Sequence, residues 1–320
     1  MDNYTRINPK AYRFLFLMDP YASLNLETET SLALITELLG RGHGVYWLEE
    51  SGVFLADGVP HGKISEVTQV QPFITGPVIT LPLEDFDALL LRKDPPFDLK
   101  YLHLTLMLDQ LPARMLQFNS VRALRDFNEK LLPLRWPDLT PETLVTANSN
   151  LVLEFIEKHN TVILKPLDDC SGRGILRVQH GEITACQIES YKQSLATPSP
   201  YIMAQRFLTE VALGDKRIFL VAGEPVGWVN RIPQSGSFLA NIHQGARCEA
   251  TTLTEFESTA IERIAPFLRQ LGIFFAGLDF IGSYLTEINI TSPSAIRQIS
   301  QVMNQKIEVK LVDRMLERLA

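Results

Sequence analysis

Short apolar runs separated by polar loops predict a mixed α/β protein in the first 120 residues. The predicted elements are strands at 12–18, 45–48 and 86–91, a hairpin at 53–72, and helices at 31–39 and 99–111. The order strand, loop, helix, strand is typical of a parallel α/β unit, and the loops that follow such strands are where ligands bind. Loop 19–31 is therefore a candidate substrate loop, and an ordinary connection is the alternative interpretation.

The rest of the chain predicts more strands than helices. We expect helices at 120–132, 151–158, 256–271 and 309–319, and strands at 161–166, 175–178, 201–207, 218–221 and 226–230. Residues 133–141 contain Trp136 and three prolines, and their composition indicates a boundary region between two domains.

Residues 277–293 predict a hairpin that carries polar side chains on one face. Two apolar strands meet at Gly282 and Ser283, and strand alternation places Glu287 and Asn289 on the same side. With a three-residue turn at 282–284, Asp279 falls opposite Glu287. Crowded carboxylates repel each other, and a divalent cation such as Mg²⁺, which prefers oxygen ligands, removes that cost. A solvated outer sheet face explains the same pattern.

Two loops contain groups that suit anions. Lys165 precedes the glycine-bearing loop 168–174, whose backbone amides could cradle phosphates, although the spacing excludes a P-loop and a plain turn remains an alternative. Residues 92–97 read Arg-Lys-Asp-Pro-Pro-Phe at the end of a buried strand, which indicates an anion clamp or a solvated loop.

Composition narrows the class of protein. A chain of 320 residues suggests two or three domains. The net charge of −7 and the pI near 5.5 argue against a nucleic-acid binder. Three cysteines at irregular spacing suit a reducing cytoplasm. No apolar run approaches the roughly 18 residues that a membrane span needs, so we expect no membrane partner and a cytoplasmic location.

The motifs, taken in order, resemble the bacterial glutathione synthetase family of the ATP-grasp superfamily. The resemblance covers nearly the whole chain after residue 12 and rests on residues 19–20, 92–97, 125–130, 139–146, 163–168, 203–205, 214–217, 231–233 and 277–293. It implies an α/β ATP-grasp fold with an N-terminal Rossmann-like (pre-ATP-grasp) domain at 1–122, a small lid domain at 123–202 and a C-terminal domain with the metal site at 203–320.

The implied reaction joins γ-glutamylcysteine to glycine. ATP phosphorylates the dipeptide carboxylate, the glycine amine displaces phosphate from the acyl phosphate, and glutathione, ADP and phosphate are formed. The resemblance therefore implies three small-molecule substrates (an acid, an amine and ATP), Mg²⁺ with Mn²⁺ as an alternative, and a homo-oligomer, either a tetramer or a dimer.

The same resemblance assigns roles to particular residues. The implied metal ligands are Asp279, Glu287 and Asn289. The implied catalytic residues are Arg217 and Arg231, whose guanidinium forks suit carboxylate and phosphate oxygens. The implied ATP contacts are Lys130, Lys165, Gly172, Met203, Gln205, Phe207, Leu208 and Asp215. The implied contacts with the other substrates are Arg92, Asn241 and Arg247.

The chain departs from the family pattern in its loops. Where the family's lid loop reads Asp-Gly-Met-Gly-Gly, this chain has Asp-Asp-Cys-Ser-Gly-Arg-Gly at 168–174, in which Asp169 adds a charge that Arg173 could offset. The second closing loop, 241–247, lacks one arginine and two glycines, and the loop 25–31 is acidic where the family has a lysine. Two hypotheses follow: a ligase with the family's substrates or with another acid or amine, and a non-catalytic ATP-binding protein.

Overall fold

Three β-sheets organise the protein in the computed structural model, which describes residues 10–195 and 199–320. The first sheet has seven strands, the second has four and the third has five. Along the chain, each sheet is completed before the next begins. This architecture agrees with the α/β fold expected from the sequence.

The first sheet contains the predicted parallel unit. Its elements are β1 (Arg13–Met18), α1 (Thr30–Gly40), β2 (Gly44–Ala56), β3 (Val59–Gln69), β4 (Ile74–Thr75), β5 (Ile79–Pro82), β6 (Ala88–Leu91), α2 (Leu99–Leu108) and β7 (Leu116–Gln117). Strand β1 pairs in parallel with β2 and β6, so the parallel unit is confirmed. The hairpin is longer than predicted, because β2 continues through a register shift between Leu48 and Val53.

The second sheet is antiparallel and small. Helix α3 (Val121–Asp126) precedes it and packs in a core that contains Leu15 and Leu278. The region itself contains β8 (Thr143–Thr146), α4 (Ser149–His159), β9 (Thr161–Lys165), β10 (Leu176–Gln179), α5 (Ala185–Ser194) and β11 (Ile202–Arg206). The strand order is β10, β9, β11, β8. The predicted boundary between 202 and 203 would cut β11, so a division by sheets falls after Arg206 instead. This unit has its own small core, which includes Val152, Leu164 and Ile202.

The third sheet is antiparallel and carries the polar hairpin. Its region contains β12 (Asp215–Val221), β13 (Glu224–Ile232), β14 (Arg247–Glu249), α6 (Glu255–Gln270), β15 (Phe275–Ile281), β16 (Tyr284–Asn289), α7 (Ile296–Met303) and α8 (Ile307–Leu319). The strand order is β14, β13, β12, β15, β16.

The first and third sheets share their hydrophobic cores. Each of the two large clusters of buried side chains contains residues of both sheets; Leu17 and Leu278 belong to one, and Phe14 and Phe275 to the other. The buried Asn119 amide joins the two regions by donating to the carbonyls of Phe275 and Ile290, each at 2.7 Å. Small rearrangements between these two regions would therefore disturb a common core, whereas the second sheet has a separate one.

The helix predicted at 120–132 is wrong beyond Asp126. The Asn128 side chain accepts hydrogen bonds from the backbone amides of Lys130 (3.0 Å) and Leu131 (3.2 Å), and this local turn competes with the helix. Residues 128–130 consequently lie in a turn beside the third sheet. Helices α5 and α7 were not predicted from the sequence.

Candidate active site

The polar hairpin has the register that the sequence predicts. Asp279 on β15 pairs with Glu287 on β16, and Gly277 pairs with Asn289. The connection differs in detail, since Ile281 pairs with Tyr284 and the turn is only Gly282 and Ser283. The additional residue is accommodated by a bulge beside Thr286, and the predicted three-residue turn is therefore wrong, although it gives the same register.

Two arginines hold Asp279 as a buried anion. The residue is 2% exposed, and Arg217 binds its carboxylate through both Nε and Nη2, the latter at 2.7 Å from Oδ2. Arg231 Nη2 lies 3.1 Å from the same oxygen and 2.7 Å from Asp215 Oδ1. Burial alone would raise the pKa of Asp279, but Arg217 and Arg231 hold it at about 2, so the carboxylate stays ionised at neutral pH.

The turn at 128–130 brings a cation and a third carboxylate to the hairpin. Lys130 Nζ lies 3.4 Å from Glu287 Oε1 and also donates to the backbone carbonyl of Asp169. The neighbouring Glu129 is buried, and its Oε1 accepts from the amides of Ile290 (2.6 Å) and Thr291 (2.8 Å). Burial raises the pKa of Glu129, and the nearby Glu287 adds to that shift.

A cavity lies between the two antiparallel sheets, and we call it the intersheet cavity. One wall comes from Lys165, Gln205 and Phe207 of the second sheet's region, and the other comes from Asp215 and Asp279 of the third sheet. Lys165 Nζ donates to Gln205 Oε1 at 2.8 Å. Burial lowers the pKa of Lys165, and Glu287 opposes that shift.

Most predicted ATP contacts meet in the intersheet cavity. Those that line it are Lys130, Lys165, Gly172, Gln205, Phe207, Leu208 and Asp215. Met203 is not among its lining residues. It is fully buried in β11, where its neighbours are Val145 on one side and Lys165 on the other. Among the predicted ATP contacts from Met203 to Leu208, those that line the intersheet cavity therefore begin at Gln205.

A second cavity of about 500 Å³, the front cavity, lies beside the first. Arg217, Arg231, Glu287 and Asn289 reach it from the third sheet, and the predicted loop 19–31 forms the opposite wall. That wall carries the carboxylates of Asp19, Glu29 and Asp94. Burial, together with Glu29 and Asp19, raises the pKa of Asp94 to about 6. The front cavity thus has arginines at one end and acidic side chains at the other.

Loop 168–174, the lid loop, packs against both neighbouring regions. Arg173 Nε donates to Asp169 Oδ1 at 2.7 Å, and Arg173 Nη2 donates to the Pro95 carbonyl at 2.9 Å. Gly172 has φ +77°, and a Cβ there would lie 2.7 Å from Asn241 Oδ1 in the second closing loop. The two predicted closing loops therefore meet over the cavities, and Arg173 pairs with Asp169 as the sequence suggested.

Two predicted substrate contacts lie elsewhere. Arg92 is 3% exposed, and it donates to the Pro293 carbonyl (2.9 Å) and to Ser31 Oγ (3.1 Å) behind the cavity wall. Arg247 is exposed and pairs with Glu249. Neither lines the intersheet or the front cavity, whereas Asn241 lines both.

Sequence reasoning missed Glu129 as a site residue. Its position inside a predicted helix gave no reason to select it, and the signal that could have found it is the preceding Asn128, which favours turns over helix interiors.

Among the described residues, no helix is both long and apolar enough to cross a membrane.

Two antiparallel sheets that enclose a lysine-lined cavity, with an acidic hairpin at its end, define an ATP-grasp ligase. A solved structure with the same fold is D-cycloserine synthetase, with a TM-score of 0.68 over 96% of this chain and all of that one. At 13% identity this likeness shows the fold alone.

The sequence comparisons identify the family. The model of the prokaryotic glutathione synthetase N-terminal domain matches residues 12–125, and that of the prokaryotic glutathione synthetase ATP-grasp domain matches residues 129–304. Glutathione synthetase of Escherichia coli is 39% identical over 309 residues, covering 95% of this chain and 97% of the relative. The Pseudomonas aeruginosa glutathione synthetase is 37% identical, covering 96% and 98%. The chain belongs to the prokaryotic glutathione synthetase family and is an ATP-dependent ligase.

Proposed function

We propose that this ligase joins γ-glutamylcysteine, or an acid close to it, to glycine at the expense of ATP. The observation that carries the proposal is the meeting of the two cavities at one hairpin. Lys130 and Lys165 lie on the intersheet side, Arg217 and Arg231 lie on the front side, and the metal-ligand set lies between them. A phosphoryl donor and a carboxylate acceptor could thus approach each other at the hairpin.

The donor atoms of the hairpin fit a hard divalent cation. Asp279 and Glu287 supply carboxylate oxygens, and the Asn289 side chain donates through its nitrogen to Asp279 Oδ2 (3.1 Å), which leaves its oxygen for another partner. In the described part of the chain no group of three His, Cys, Asp or Glu side chains forms a metal site, so the assignment rests on this carboxylate–amide set. Mg²⁺, or Mn²⁺ in its place, would neutralise charge on the transferred phosphoryl group.

The chain's own cations provide the remaining stabilisation. We assign Lys130 and Lys165 to the ATP phosphates, and we assign Gln205, Phe207 and Leu208 to the base. Asp215 is assigned to the ribose, and its position in the intersheet cavity supports this role. Arg217 and Arg231 line the front cavity next to the hairpin, where the N–H groups that do not bind Asp279 or Asp215 suit the activated carboxylate. The lid loop would exclude water from the acyl phosphate.

The acidic wall of the front cavity suggests how the acid substrate is oriented. Asp19 accepts from Lys93 Nζ (3.4 Å) and from the Asp94 amide (2.8 Å). Burial and the neighbouring Glu29 and Asp19 raise the pKa of Asp94 to about 6, with Arg92 opposing that shift. An ammonium group would compensate the negative charge of this wall. We therefore place the α-ammonium of the γ-glutamyl group at this wall, with the reacting carboxylate at the arginine end. Arg92 would act indirectly, by holding the Pro293 carbonyl behind the cavity.

The direct test is turnover by the purified protein. With saturating Mg²⁺, we expect ADP and phosphate to form only when ATP, γ-glutamylcysteine and glycine are all present, with glutathione detected by mass spectrometry. A panel of other acids and amines tests for a shifted substrate. If ATP bound but no acid and amine pair produced ADP, the non-catalytic alternative would replace this proposal.

We also propose that the protein assembles as a homo-oligomer, either a tetramer or a dimer. Several apolar side chains are exposed around β4 and β5, including Val78 (67%) and Ile74 (45%), which supports an interface there. Light scattering after gel filtration measures the mass, and Val78→Glu should lower it. A monomeric mass for the unaltered chain would contradict the proposal.

A further inference from the structure

Glu129 occupies a position that its structural contacts do not fully explain. Its Oε1 accepts three hydrogen bonds, from the amides of Ile290 and Thr291 and from Thr291 Oγ1 at 2.8 Å. Its Oε2 has no hydrogen-bond partner within residues 10–195 and 199–320. The residue is 8% exposed, and it lines the front cavity as well as a neighbouring groove beside the turn at 128–130. The side chain is therefore fixed by one oxygen, while the other remains able to take a proton.

Glu129 lies next to the arginine end of the front cavity, where we place the reacting carboxylate. The backbone carbonyl of Glu129 accepts from the Ile288 amide at 3.1 Å, between Glu287 and Asn289 on β16. Its side chain accepts hydrogen bonds from the amides of Ile290 and Thr291, the two residues that follow Asn289. The front cavity also contains Arg217 and Arg231, so Glu129 shares the space where the acid substrate is activated.

The other carboxylates of the front cavity are less suited to proton transfer at that point. Asp19 and Asp94 lie on the opposite wall, formed by the N-terminal region. Glu29 Oε1 caps helix α1 by accepting from the Ser31 amide at 2.8 Å. Glu287 belongs to the proposed metal set and faces Lys130.

We propose that Glu129 is the general base that deprotonates the amine substrate of this ligase. The inference rests on the proposed function and adds a catalytic residue to it. An amine such as glycine is an ammonium ion at neutral pH and has no lone pair for attack. Glu129 Oε2 takes one proton from that nitrogen, and the freed lone pair forms the C–N bond at the acyl phosphate carbon. The C–O bond to phosphate breaks, and the second proton leaves with the released phosphate.

The test compares two amine acceptors in Glu129→Gln. The glutamine oxygen can still accept from residues 290 and 291, but the side chain cannot act as a base. Glycine needs deprotonation, whereas hydroxylamine is largely unprotonated at neutral pH and captures the acyl phosphate as a hydroxamate without help. We expect ligation to glycine to fall by about 100-fold or more, and hydroxamate formation to stay within about threefold of the unaltered enzyme.

Asp94→Asn is the matched control, because it removes the same charge from the far wall of the same cavity. Its rates with glycine and with hydroxylamine should change by the same factor. Glu129→Asp is a second variant that keeps a carboxylate, and it should retain more glycine ligation than Glu129→Gln relative to hydroxamate formation. Thermal unfolding and ATP binding report whether each variant is folded.

The possible results of these experiments distinguish the general-base role of Glu129 from the proposed ligase function. Equal losses with both acceptors in the Glu129 variants, or undiminished glycine ligation in Glu129→Gln, would overturn the base assignment and leave the ligase proposal intact. Failure of the unaltered enzyme to form either product would overturn the proposed function and the base assignment with it.

Discussion

Asp279 shows how single residues at this site combine structural and chemical roles. It is buried, yet it stays ionised because Arg217 and Arg231 compensate its charge. The same arginines face the front cavity, so their orientation depends on the carboxylate behind them. Removing Asp279 would leave the buried guanidinium of Arg217 without its carboxylate partner, a cost of several kcal/mol, whereas Arg231 would keep Asp215. Glu287 is the better residue for testing the metal site, because it is less buried and, among the described residues, forms an ion pair with Lys130 alone.

We expect Glu287→Gln to retain the fold and to lose turnover by at least about 100-fold, because an amide would replace a carboxylate that we assign to the metal, and the metal would stabilise the charged phosphoryl group. ADP release and thermal unfolding, measured on the same preparation, check both parts. Glu210→Gln is the control, since Glu210 is exposed beside the hairpin turn. A Glu287→Gln enzyme with most of its activity would contradict the metal assignment.

Lys165 is expected to contact the ATP phosphates from the second sheet. Lys165→Met removes a charge-assisted contact in a partly closed site and should weaken ATP binding by about 2 kcal/mol, or roughly 30-fold in Kd. Calorimetry measures this change directly. Lys158→Met, at the exposed end of helix α4 in the same region, should leave the Kd unchanged. Equal affinities for the two variants would show that Lys165 does not bind ATP.

At the scale of elements, the closing loops explain why small residues matter. Gly172 adopts φ +77°, a conformation that residues with a side chain rarely adopt, and a Cβ there would lie 2.7 Å from Asn241 Oδ1 of the opposite loop. Replacing it therefore adds backbone strain and a steric clash. Gly181 has φ +82° in the turn after β10, but no atom lies within 4 Å of its Cβ position. Both glycines therefore have a positive φ, but only a side chain at position 172 would clash with another loop.

We expect Gly172→Ala to raise the KM for ATP several-fold, because the two loops can no longer meet. Amides at 168–174 and 235–248 should then exchange hydrogen rapidly even with ATP, Mg²⁺ and the acid present, whereas the unaltered loops should become protected. Gly181→Ala should lose about 1 kcal/mol of stability without either effect. Similar exchange in both variants would show that the loop contact does not govern closure.

At the scale of the whole molecule, the lid loop connects the small second sheet to the N-terminal region. Arg173 donates to the Pro95 carbonyl, and the Phe97 amide donates to the Asp168 carbonyl at 3.0 Å. The second sheet has a core of its own, whereas the first and third sheets share theirs. We therefore expect the second sheet's region to move as a unit, and these contacts hold the lid loop beside the front cavity.

A double-mutant cycle tests the pair in the lid loop. Arg173→Ala should raise the KM for ATP several-fold, because it releases the Pro95 contact and leaves Asp169 uncompensated near the phosphates. After solvent screening, we expect the repulsion to be about 1 kcal/mol. Adding Asp169→Gly should then recover most of the lost affinity, although Asp169→Gly alone should change it little. If the double variant bound ATP no better than Arg173→Ala, the charge of Asp169 would be irrelevant.

The sequence by itself determined what depends on neighbouring residues. The apolar runs predicted β1, β9 and β15, and strand alternation predicted that Glu287 and Asn289 share a face, because the side-chain period of a strand is a local property. The pairing of Asp279 with Glu287 was predicted from a turn one residue too long, and the bulge beside Thr286 gives the same register. The ordered motifs were enough to indicate the family. They were also enough to select the lysines that line the intersheet cavity.

Only the tertiary structure decided which distant groups meet. It placed Glu129 against residues 290 and 291, bonded Arg92 to the Pro293 carbonyl and left it outside the front cavity, and joined Arg173 to Pro95. None of these pairs shares a period or a spacing in the chain, since each contact depends on how separate sheets pack. The helix predicted through Glu129 failed for the same reason: a local turn at Asn128 and hydrogen bonds to a distant strand together outweighed the helical pattern.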